Sequence, residues 1–210
     1  LMRHGPHPVP QPHPTQGGIL PYWIGGAAIS LLSPWVDPAL AARLPFALLL
    51  AAVFALTWYA TYHLARTEAA QPVPLAFGGE ARPQDYARAV ADGALLALIA
   101  SLGLLQLGHE TTPELVQLTG AALLLFGMAA ANQRSPSAIA ATVLALPVLA
   151  GSGSPTVALL LGVAASIVCL RSSNTDTHAH LKWVLLGMAL ATALVIGLIA
   201  LGLPGWSVRS

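Results

Sequence analysis

Fixed positive charge is scarce in this chain, and its spacing limits what the chain can fold into. Only nine of the 210 residues are Lys or Arg. Long uncharged stretches separate connections that carry basic residues from connections, at 109–112 and 151–154, that carry none. Six basic residues lie in the first kind: Arg66, Arg82, Arg88, Arg134, Arg171 and Lys182. This is the positive-inside pattern of a chain that crosses a membrane several times, and it predicts cytoplasmic basic loops. Residues 1–37, 109–112 and 152–154 are then expected on the opposite face.

Composition agrees with a membrane protein. The chain is 56% hydrophobic and 8% charged, with a mean hydropathy of +0.71, whereas about a quarter of the residues of a soluble domain are charged. The net charge of +1 offers no basic patch for nucleic acid. The single cysteine, Cys169, excludes an internal disulfide. Residues 1–18 have no apolar core, so no cleavable signal peptide is expected.

Four of the predicted spans begin with a capping side chain followed by proline: Asp37-Pro38, Thr112-Pro113, Ser135-Pro136 and Ser154-Pro155. The capping oxygen accepts an unpaired amide, and proline at the next position has no amide to satisfy. These spans are 38–64, 113–131, 136–150 and 155–170, and apolar runs at 93–108 and 181–203 add two more. The runs at 136–150 and 155–170 are shorter than the roughly 20 residues that a crossing usually needs, so they require flanking polar turns or a thin membrane.

The remaining segments complete an all-α, polytopic transmembrane bundle of about six spans plus one interfacial helix. Residues 19–32 are apolar but too short to span, and Tyr22 and Trp23 lie where an interfacial anchor belongs. They predict a helix at the outer membrane surface. Residues 83–93 are expected to start a cytoplasmic lead-in to the second span. The predicted organisation is a Pro- and His-rich outer-face segment at 1–18 and one transmembrane domain at 19–210.

Residues 16–66 resemble part of a known family. The Tyr22-Trp23 pair, the Arg43-Leu44-Pro45 sequence and the outer-loop sequence at 108–115 are similar in order and spacing to bacterial GT-C class glycosyltransferases that use lipid carriers. This group contains the aminoarabinose transferases and protein mannosyltransferases, and the resemblance covers roughly residues 16–170. It implies a GT-C-like fold in the bacterial inner membrane. It also implies transfer of a sugar from a polyprenyl-phosphate carrier to an acceptor on the periplasmic face.

The chain departs from this family at three positions that would bind phosphate or metal. It has Gln16-Gly17 at the acidic-basic motif, Thr112-Pro113 at the acidic-proline motif and Gly153-Ser154-Pro155 at the Lys-Gly-Pro turn. The family's principal catalytic aspartate precedes the matched region, whereas no Asp precedes Asp37 here. Either the chain is a fragment of a longer enzyme, or it has lost the family's chemistry.

His109 and Glu110 are the candidate catalytic residues. Ionisable residues at membrane depth usually have a function. Glu110 could act as a base or hold a divalent cation for a sugar-phosphate donor, and His109 could hydrogen-bond the acceptor. The alternative is that both are solvated loop residues. Glu114 is expected to be structural, because a carboxylate in the first turn of a helix is favoured by the helix dipole.

Arg43, Gln16 and Tyr22 are the candidate substrate-binding residues. Arg43 is expected near the outer end of the first long span, where a guanidinium could bind a lipid phosphate through two hydrogen bonds. Its alternative role is an arginine that reaches to the interface. The resemblance places Gln16 and Tyr22 in the same outer region.

The histidines are assigned simpler roles. His4, His7 and His13 alternate with prolines and could bind a metal only loosely, so a flexible or polyproline-like segment is favoured and no metal site is assigned. His63, His178 and His180 are predicted to be polar interface residues.

The partners of the transferase would be membrane lipid and a polyprenyl-phosphate-linked sugar, and no nucleic acid is expected. Two further functional classes remain beside the transferase. The first is a catalytically inert GT-C-like scaffold or lipid-binding protein, which the lost charges favour. The second is a transporter. It ranks last, because transporters need ionisable residues or broken helices within their spans.

Overall fold

The computed structural model describes residues 18–73, 81–101 and 113–202. Within these ranges the chain forms seven α-helices and no strand. The helices are α1 (Ile19–Leu32), α2 (Pro38–Ala65), α3 (Pro83–Ala100), α4 (Pro113–Ala129), α5 (Pro136–Gly151), α6 (Pro155–Arg171) and α7 (Thr175–Ala200). Single 3₁₀ turns at Glu68–Ala70 and Ala131–Gln133 lie in two connections. The predicted all-α class is therefore confirmed for the described part of the chain.

Two of the predicted proline-associated caps form as expected. The Asp37 carboxylate accepts a hydrogen bond from the Ala39 amide at 3.1 Å. The Ser135 hydroxyl accepts one from the Ala138 amide at 3.2 Å. Both capping residues have extended backbones, with ψ angles of 134° and 142°, which direct the side chain toward the first turn. Thr112 lies outside the described residues.

The predicted cap at Ser154 is wrong. Ser154 precedes Pro155 and α6, but its side chain makes no capping hydrogen bond. Its backbone amide donates instead to the Leu149 carbonyl at 3.2 Å, so the residue belongs to the turn that ends α5. Its ψ angle of 59° differs from the extended conformation of the other two caps. A capping residue therefore needs the right backbone conformation as well as the right side chain.

Helix α7 begins six residues before the predicted start of the apolar run at 181. Asn174 caps it, because its side-chain oxygen accepts hydrogen bonds from the Asp176 amide at 2.8 Å and the Thr177 amide at 3.4 Å. The polar residues before 181 were expected to form a loop but make up the first turns of the helix. Similarly, the lead-in predicted at 83–93 is continuous with the start of the second predicted span in α3.

Helix α5 lies at the centre of the bundle. It packs against α4, α6 and α7, and α6 also packs against α7. The core among these four helices includes the buried residues Leu124, Leu146, Cys169 and Val184. Helix α2 packs on α4 and also contacts α3. A second cluster, of Phe46, Leu115 and Val116, joins the beginnings of α2 and α4.

Helices α2 to α7 run alternately in opposite directions, so their connections lie at two ends. The His63 side chain near the end of α2 hydrogen-bonds Gln133 beyond the end of α4, and Arg134 pairs with Asp176 at the start of α7. We call this the basic end because six basic residues lie in or beside its connections: Arg66, Arg82, Arg88, Arg134, Arg171 and Lys182. The other end is called the opposite end.

Glycines bring α4 close to α5. A Cβ atom added at Gly120 would lie 2.7 Å from the Leu149 Cγ. One added at Gly127 would overlap the Thr142 hydroxyl. Both positions therefore require the absence of a side chain, which allows α4 and α5 to pack closely.

Much of the apolar surface is exposed. Helices α2 and α7 are long and apolar enough to cross a membrane, yet only 17% and 22% of their most apolar windows are buried within the bundle. Helix α6 also has large exposed side chains: Leu159, Leu160, Val163, Ile167, Val168 and Leu170. Helices α1, α4, α5 and α6 are apolar but shorter. The structure thus supports two candidate spans by length, whereas six spans stay a prediction.

Helix α1 has the bounds expected for the interfacial segment. Its residues Leu20 and Ile24 pack against the cluster of Phe46, Leu115 and Val116. Tyr22 and Trp23 are exposed. One face of α1 is therefore attached to the bundle and leaves the two aromatic rings free, while its position at a membrane surface stays a prediction.

Candidate functional site

The structure describes Arg43 and Tyr22 among the predicted site residues. Arg43 lies in the second turn of α2 and Tyr22 in the first turn of α1, and both are exposed. The two ion pairs in the described ranges, Arg88–Asp85 and Arg134–Asp176, do not include Arg43. The predicted residues His109, Glu110 and Gln16 lie outside the described residues. The catalytic pair and its relation to Arg43 therefore stay predictions.

Other polar groups at the opposite end have structural roles. Glu114 lies in the first turn of α4, as predicted. Gln117 donates from Nε2 to the Ser152 carbonyl at 3.3 Å and so joins α4 to the turn after α5. The buried Ser152 hydroxyl donates to the Leu149 carbonyl at 2.8 Å. These bonds satisfy backbone carbonyls where α5 ends.

The basic end contains a pocket that the sequence did not predict. Its volume is ≈ 290 Å³, and we call it the Arg134 pocket. The connection after α4 forms one wall, and the first turns of α5 and α7 form the others. Its lining residues are Ala131, Arg134, Ile139, Asp176, Ala179, His180, Lys182 and Trp183. The pocket therefore combines charged groups with an aromatic ring and aliphatic surface.

Arg134 has an unusual backbone conformation at this pocket. Its φ angle is 50°, and it is the only non-glycine residue with a positive φ in the described part of the chain. A left-handed conformation typically costs a residue with a side chain about 1–2 kcal/mol. Its guanidinium forms an ion pair with the Asp176 carboxylate. The connection thus places an arginine where glycine would be easier to accommodate.

His180 is buried at the wall of the pocket, with 3% of its surface exposed. Its Nε2 lies 2.8 Å from the Thr142 hydroxyl oxygen. The same hydroxyl lies 2.9 Å from the Ala138 carbonyl and has only one hydrogen to donate. If that hydrogen goes to Ala138, the His180 Nε2–H donates to Thr142. The pair then links α7 to α5 through a satisfied buried hydrogen bond.

The interface role predicted for His180 is therefore wrong, and the early start of α7 explains why. Within that helix, His180 shares the buried face with Val184, Gly187 and Ala191 at helical spacing. His178 is exposed, and its predicted role at the membrane interface stays a prediction. His63 is partly buried and lies 2.7 Å from the Gln133 Nε2 through its Nδ1. It therefore joins α2 to the connection after α4.

Lys182 gives the Arg134 pocket a second cation. Its ammonium nitrogen lies 5.1 Å from the centre of the Trp183 ring, a cation–π distance. Arg134 and Lys182 face a single carboxylate, that of Asp176. The charged groups that line the pocket are therefore net positive.

An aromatic group on α2 contacts α3 at the same half of the bundle. Trp58 stacks on Tyr62 with ring centres 5.3 Å apart, and its indole nitrogen donates to the Asp92 carboxylate at 2.7 Å. The Arg66 guanidinium lies 5.5 Å from the centre of the Tyr62 ring. The hydrogen bond between Trp58 and Asp92 attaches α3 to α2.

Within residues 18–73, 81–101 and 113–202, no group of three or more His, Cys, Asp or Glu side chains is placed to hold a metal ion. The lining of the Arg134 pocket includes two cations, one carboxylate and a buried imidazole. In comparisons of the whole chain with known proteins, no protein-family model, curated protein or solved structure matches.

Proposed function

We propose that this chain is a multi-pass protein of the bacterial inner membrane and forms part of a glycosyltransferase. In this proposal α2 to α7 cross the bilayer, with the basic end in the cytoplasm. The enzyme transfers a sugar from a polyprenyl-phosphate carrier to an acceptor on the periplasmic face. The proposal has two parts, a membrane location and a reaction, and they have different support.

The exposed apolar surface of α2 and α7 is the observation that supports the membrane location. An apolar helix in the core of a soluble protein is mostly buried, whereas the apolar windows of these helices are 17% and 22% buried. Exposing apolar surface to water costs about 25 cal/mol per Å². A hydrocarbon environment removes this cost over the exposed leucines of α2, α6 and α7.

The shorter helices also fit a bilayer once their ends are included. Helices α4, α5 and α6 contain 17, 16 and 17 residues. At about 1.5 Å per residue they are roughly 25 Å long, a few Å less than a typical hydrocarbon core of about 30 Å. Local thinning of the membrane or burial of the capping turns would cover the difference.

The resemblance in residues 16–170 supports the transferase. If the opposite end of the bundle faces the periplasm, the exposed Arg43 lies at the level of the lipid phosphates. There it would bind the carrier phosphate through its guanidinium, while Glu110 acts as the base that activates the acceptor. The reaction is displacement at the anomeric carbon, with the polyprenyl phosphate as the leaving group.

A scaffold that keeps the fold without the reaction is the alternative. The turn between α5 and α6 favours it. Gly153 has a φ angle of 94°, a conformation that glycine adopts without strain. The family has a lysine at the corresponding turn. The local backbone therefore suits an uncharged glycine at this position. The lost charges at Gln16 and Thr112 also favour the scaffold.

A transfer assay with a matched pair of variants tests the proposal. The full-length protein would be reconstituted in vesicles with a polyprenyl-phosphate-linked sugar. Glu110→Gln should lower the transfer rate by about 10²–10⁴-fold, the usual contribution of a general base. Glu114→Gln is the control, because a carboxylate in the first turn of a helix contributes only about 0.3–1 kcal/mol.

Equal rates in the two variants would remove Glu110 from the mechanism. No transfer by the unmutated full-length protein with any lipid-linked sugar would favour the scaffold. Alkaline carbonate tests the membrane location separately, since it releases peripheral proteins from membranes but should leave this chain in the pellet. Release into the supernatant would contradict that part of the proposal.

A further inference from the structure

The Arg134 pocket has the features of a site for an anionic group at a membrane surface. Its cations are Arg134 and Lys182, and Arg134 lies at the end of a connection of only a few residues between α4 and α5. A guanidinium and an ammonium in one cavity can together contact several oxygens of a phosphate. One carboxylate, that of Asp176, partly offsets their charge.

The apolar part of the lining distinguishes a lipid from a water-soluble anion. Ile139, Ala179 and the Trp183 ring share the cavity with the two cations. Trp183 is partly buried, and Lys182 is exposed. Tryptophan favours the membrane interface because its ring is apolar and its indole N–H can donate a hydrogen bond. A lipid offers both a phosphate for the cations and a glycerol and acyl region for this carbon surface.

His180 makes one wall of the cavity rigid. The residue is buried, and its Nε2 is held by Thr142 of α5. The hydrogen bond between Thr142 and His180 therefore joins the cavity walls that α5 and α7 form. Arg134 is mostly exposed and reaches the α7 wall through its ion pair with Asp176. A ligand would meet a largely preformed cavity, which reduces the entropy lost on binding.

We propose that the Arg134 pocket binds the phosphate headgroup of an anionic phospholipid in the leaflet at the basic end. This inference rests on the membrane location proposed above but not on the glycosyltransferase. Arg134 and Lys182 contact the phosphate, and Trp183 contacts the glycerol region. Asp176 sets the affinity, because it competes with the lipid for the Arg134 guanidinium.

Lipid binding by the purified full chain would be measured by native mass spectrometry in detergent. Dioleoyl phosphatidylglycerol is the anionic probe, and dioleoyl phosphatidylcholine is the zwitterionic reference. Arg134→Gln and Lys182→Gln should each weaken phosphatidylglycerol binding by about fivefold, the effect expected for one basic residue near a membrane surface. Asp176→Asn should strengthen it, because it frees Arg134 and removes a repulsive charge.

Arg171→Gln is the matched control. Arg171 is an exposed residue at the end of α6, on the same end of the bundle, but it does not line the pocket. Its substitution removes the same charge and should leave phosphatidylglycerol binding within about twofold, well below the effect of a basic residue that contacts the headgroup. Unchanged thermal unfolding of the four variants would show that lost binding is not lost folding.

Three results would overturn the proposal. An equal loss in Arg171→Gln and Arg134→Gln would indicate general attraction to the basic end. Weaker binding in Asp176→Asn would contradict the competition for Arg134. Displacement of the lipid by millimolar glycerol 3-phosphate would identify a soluble phosphate compound as the ligand. Each of these results is compatible with retention in carbonate-washed membranes, so the pocket can fail while the membrane location stands.

Discussion

The Thr142–His180 hydrogen bond shows what single residues add that the sequence does not reveal. Thr142 is fully buried and lies in a largely apolar helix. His180 lies in a polar sequence, which predicted a polar residue at the membrane interface. Burial of a histidine depends on which neighbour offers an acceptor, and that neighbour is 38 residues away in the chain. The same reason explains why the Arg134 pocket was not predicted. Tyr22 is exposed, and its place in an interfacial aromatic anchor stays a prediction.

Thr142→Val should destabilise the protein because it keeps the shape of the side chain and removes its hydroxyl. The buried His180 Nε2–H then loses its acceptor. Leaving a buried donor unsatisfied costs about 1–3 kcal/mol, although hydrogen bonds between membrane helices average nearer about 0.6 kcal/mol. We expect a loss of about 1 kcal/mol in the free energy of unfolding, measured by denaturant titration in detergent micelles.

Thr119→Val is the control for this measurement. Thr119 is also buried, but its hydroxyl bonds only to the Leu115 carbonyl of its own helix at 2.8 Å. Such a bond duplicates one that the backbone already makes, so its loss should cost little. Equal destabilisation by the two substitutions would indicate that the bond to His180 contributes nothing beyond the shape of the site.

At the scale of the helix, most of the bounds follow from local sequence. The starts of α2, α5 and α6 coincide with the prolines at 38, 136 and 155, as predicted, and their ends fall within one residue of the predicted ends. Proline marks the first turn and apolar composition marks the length, and both are local properties. The start of α7 was missed because its first turns are polar. Their helical state depends on the Asn174 cap and on His180, whose partner lies in another helix.

Helix packing provides a test with two glycines of opposite expected effect. Gly127→Ala would place a Cβ against Thr142 of α5 and against the Ala138 carbonyl, 3.0 Å away. Overpacking of this kind typically costs about 1–3 kcal/mol. Gly93 in α3 has no atom within 4 Å of an added Cβ. Gly93→Ala should therefore stabilise the protein by about 0.5–1 kcal/mol, because alanine loses less backbone entropy in a helix.

Thermal unfolding of both variants in the same detergent would compare them. A lower midpoint for Gly127→Ala and a higher one for Gly93→Ala would agree with the packing of α4 on α5. A Gly127→Ala midpoint equal to that of the unmutated protein would mean that α4 and α5 are farther apart than described.

At the scale of the whole molecule, the positions of the basic residues along the chain agree with the alternating directions of helices α2 to α7. The six basic residues that predicted cytoplasmic loops lie at one end of the bundle, because the helices between them reverse direction. Alternation of this kind is predictable from sequence, since a helix moves the chain from one end to the other. Which helices contact each other is not predictable in this way, because Phe46 of α2 packs against Leu115 and Val116 of α4, which lie far from it in the chain. The positions of His109 and Glu110 lie outside the described residues, so the predicted catalytic pair is untested.

The orientation of the whole bundle in the membrane can be measured with two single cysteines. Ser33 lies between α1 and α2 at the opposite end, and Gln84 lies in the first turn of α3 at the basic end, both exposed. Each would be replaced by cysteine in a Cys169→Ala background, which removes the one buried native thiol. Spheroplasts, which lack the outer membrane but keep a sealed inner membrane, would be treated with an impermeant thiol reagent. The reagent should label the cysteine at 33 and leave the one at 84 unlabelled until the inner membrane is permeabilised. The positive-inside rule requires this result, because the basic end stays in the cytoplasm. Labelling at 84 without labelling at 33 would invert the bundle, and labelling at both positions would mean that α2 does not cross the membrane.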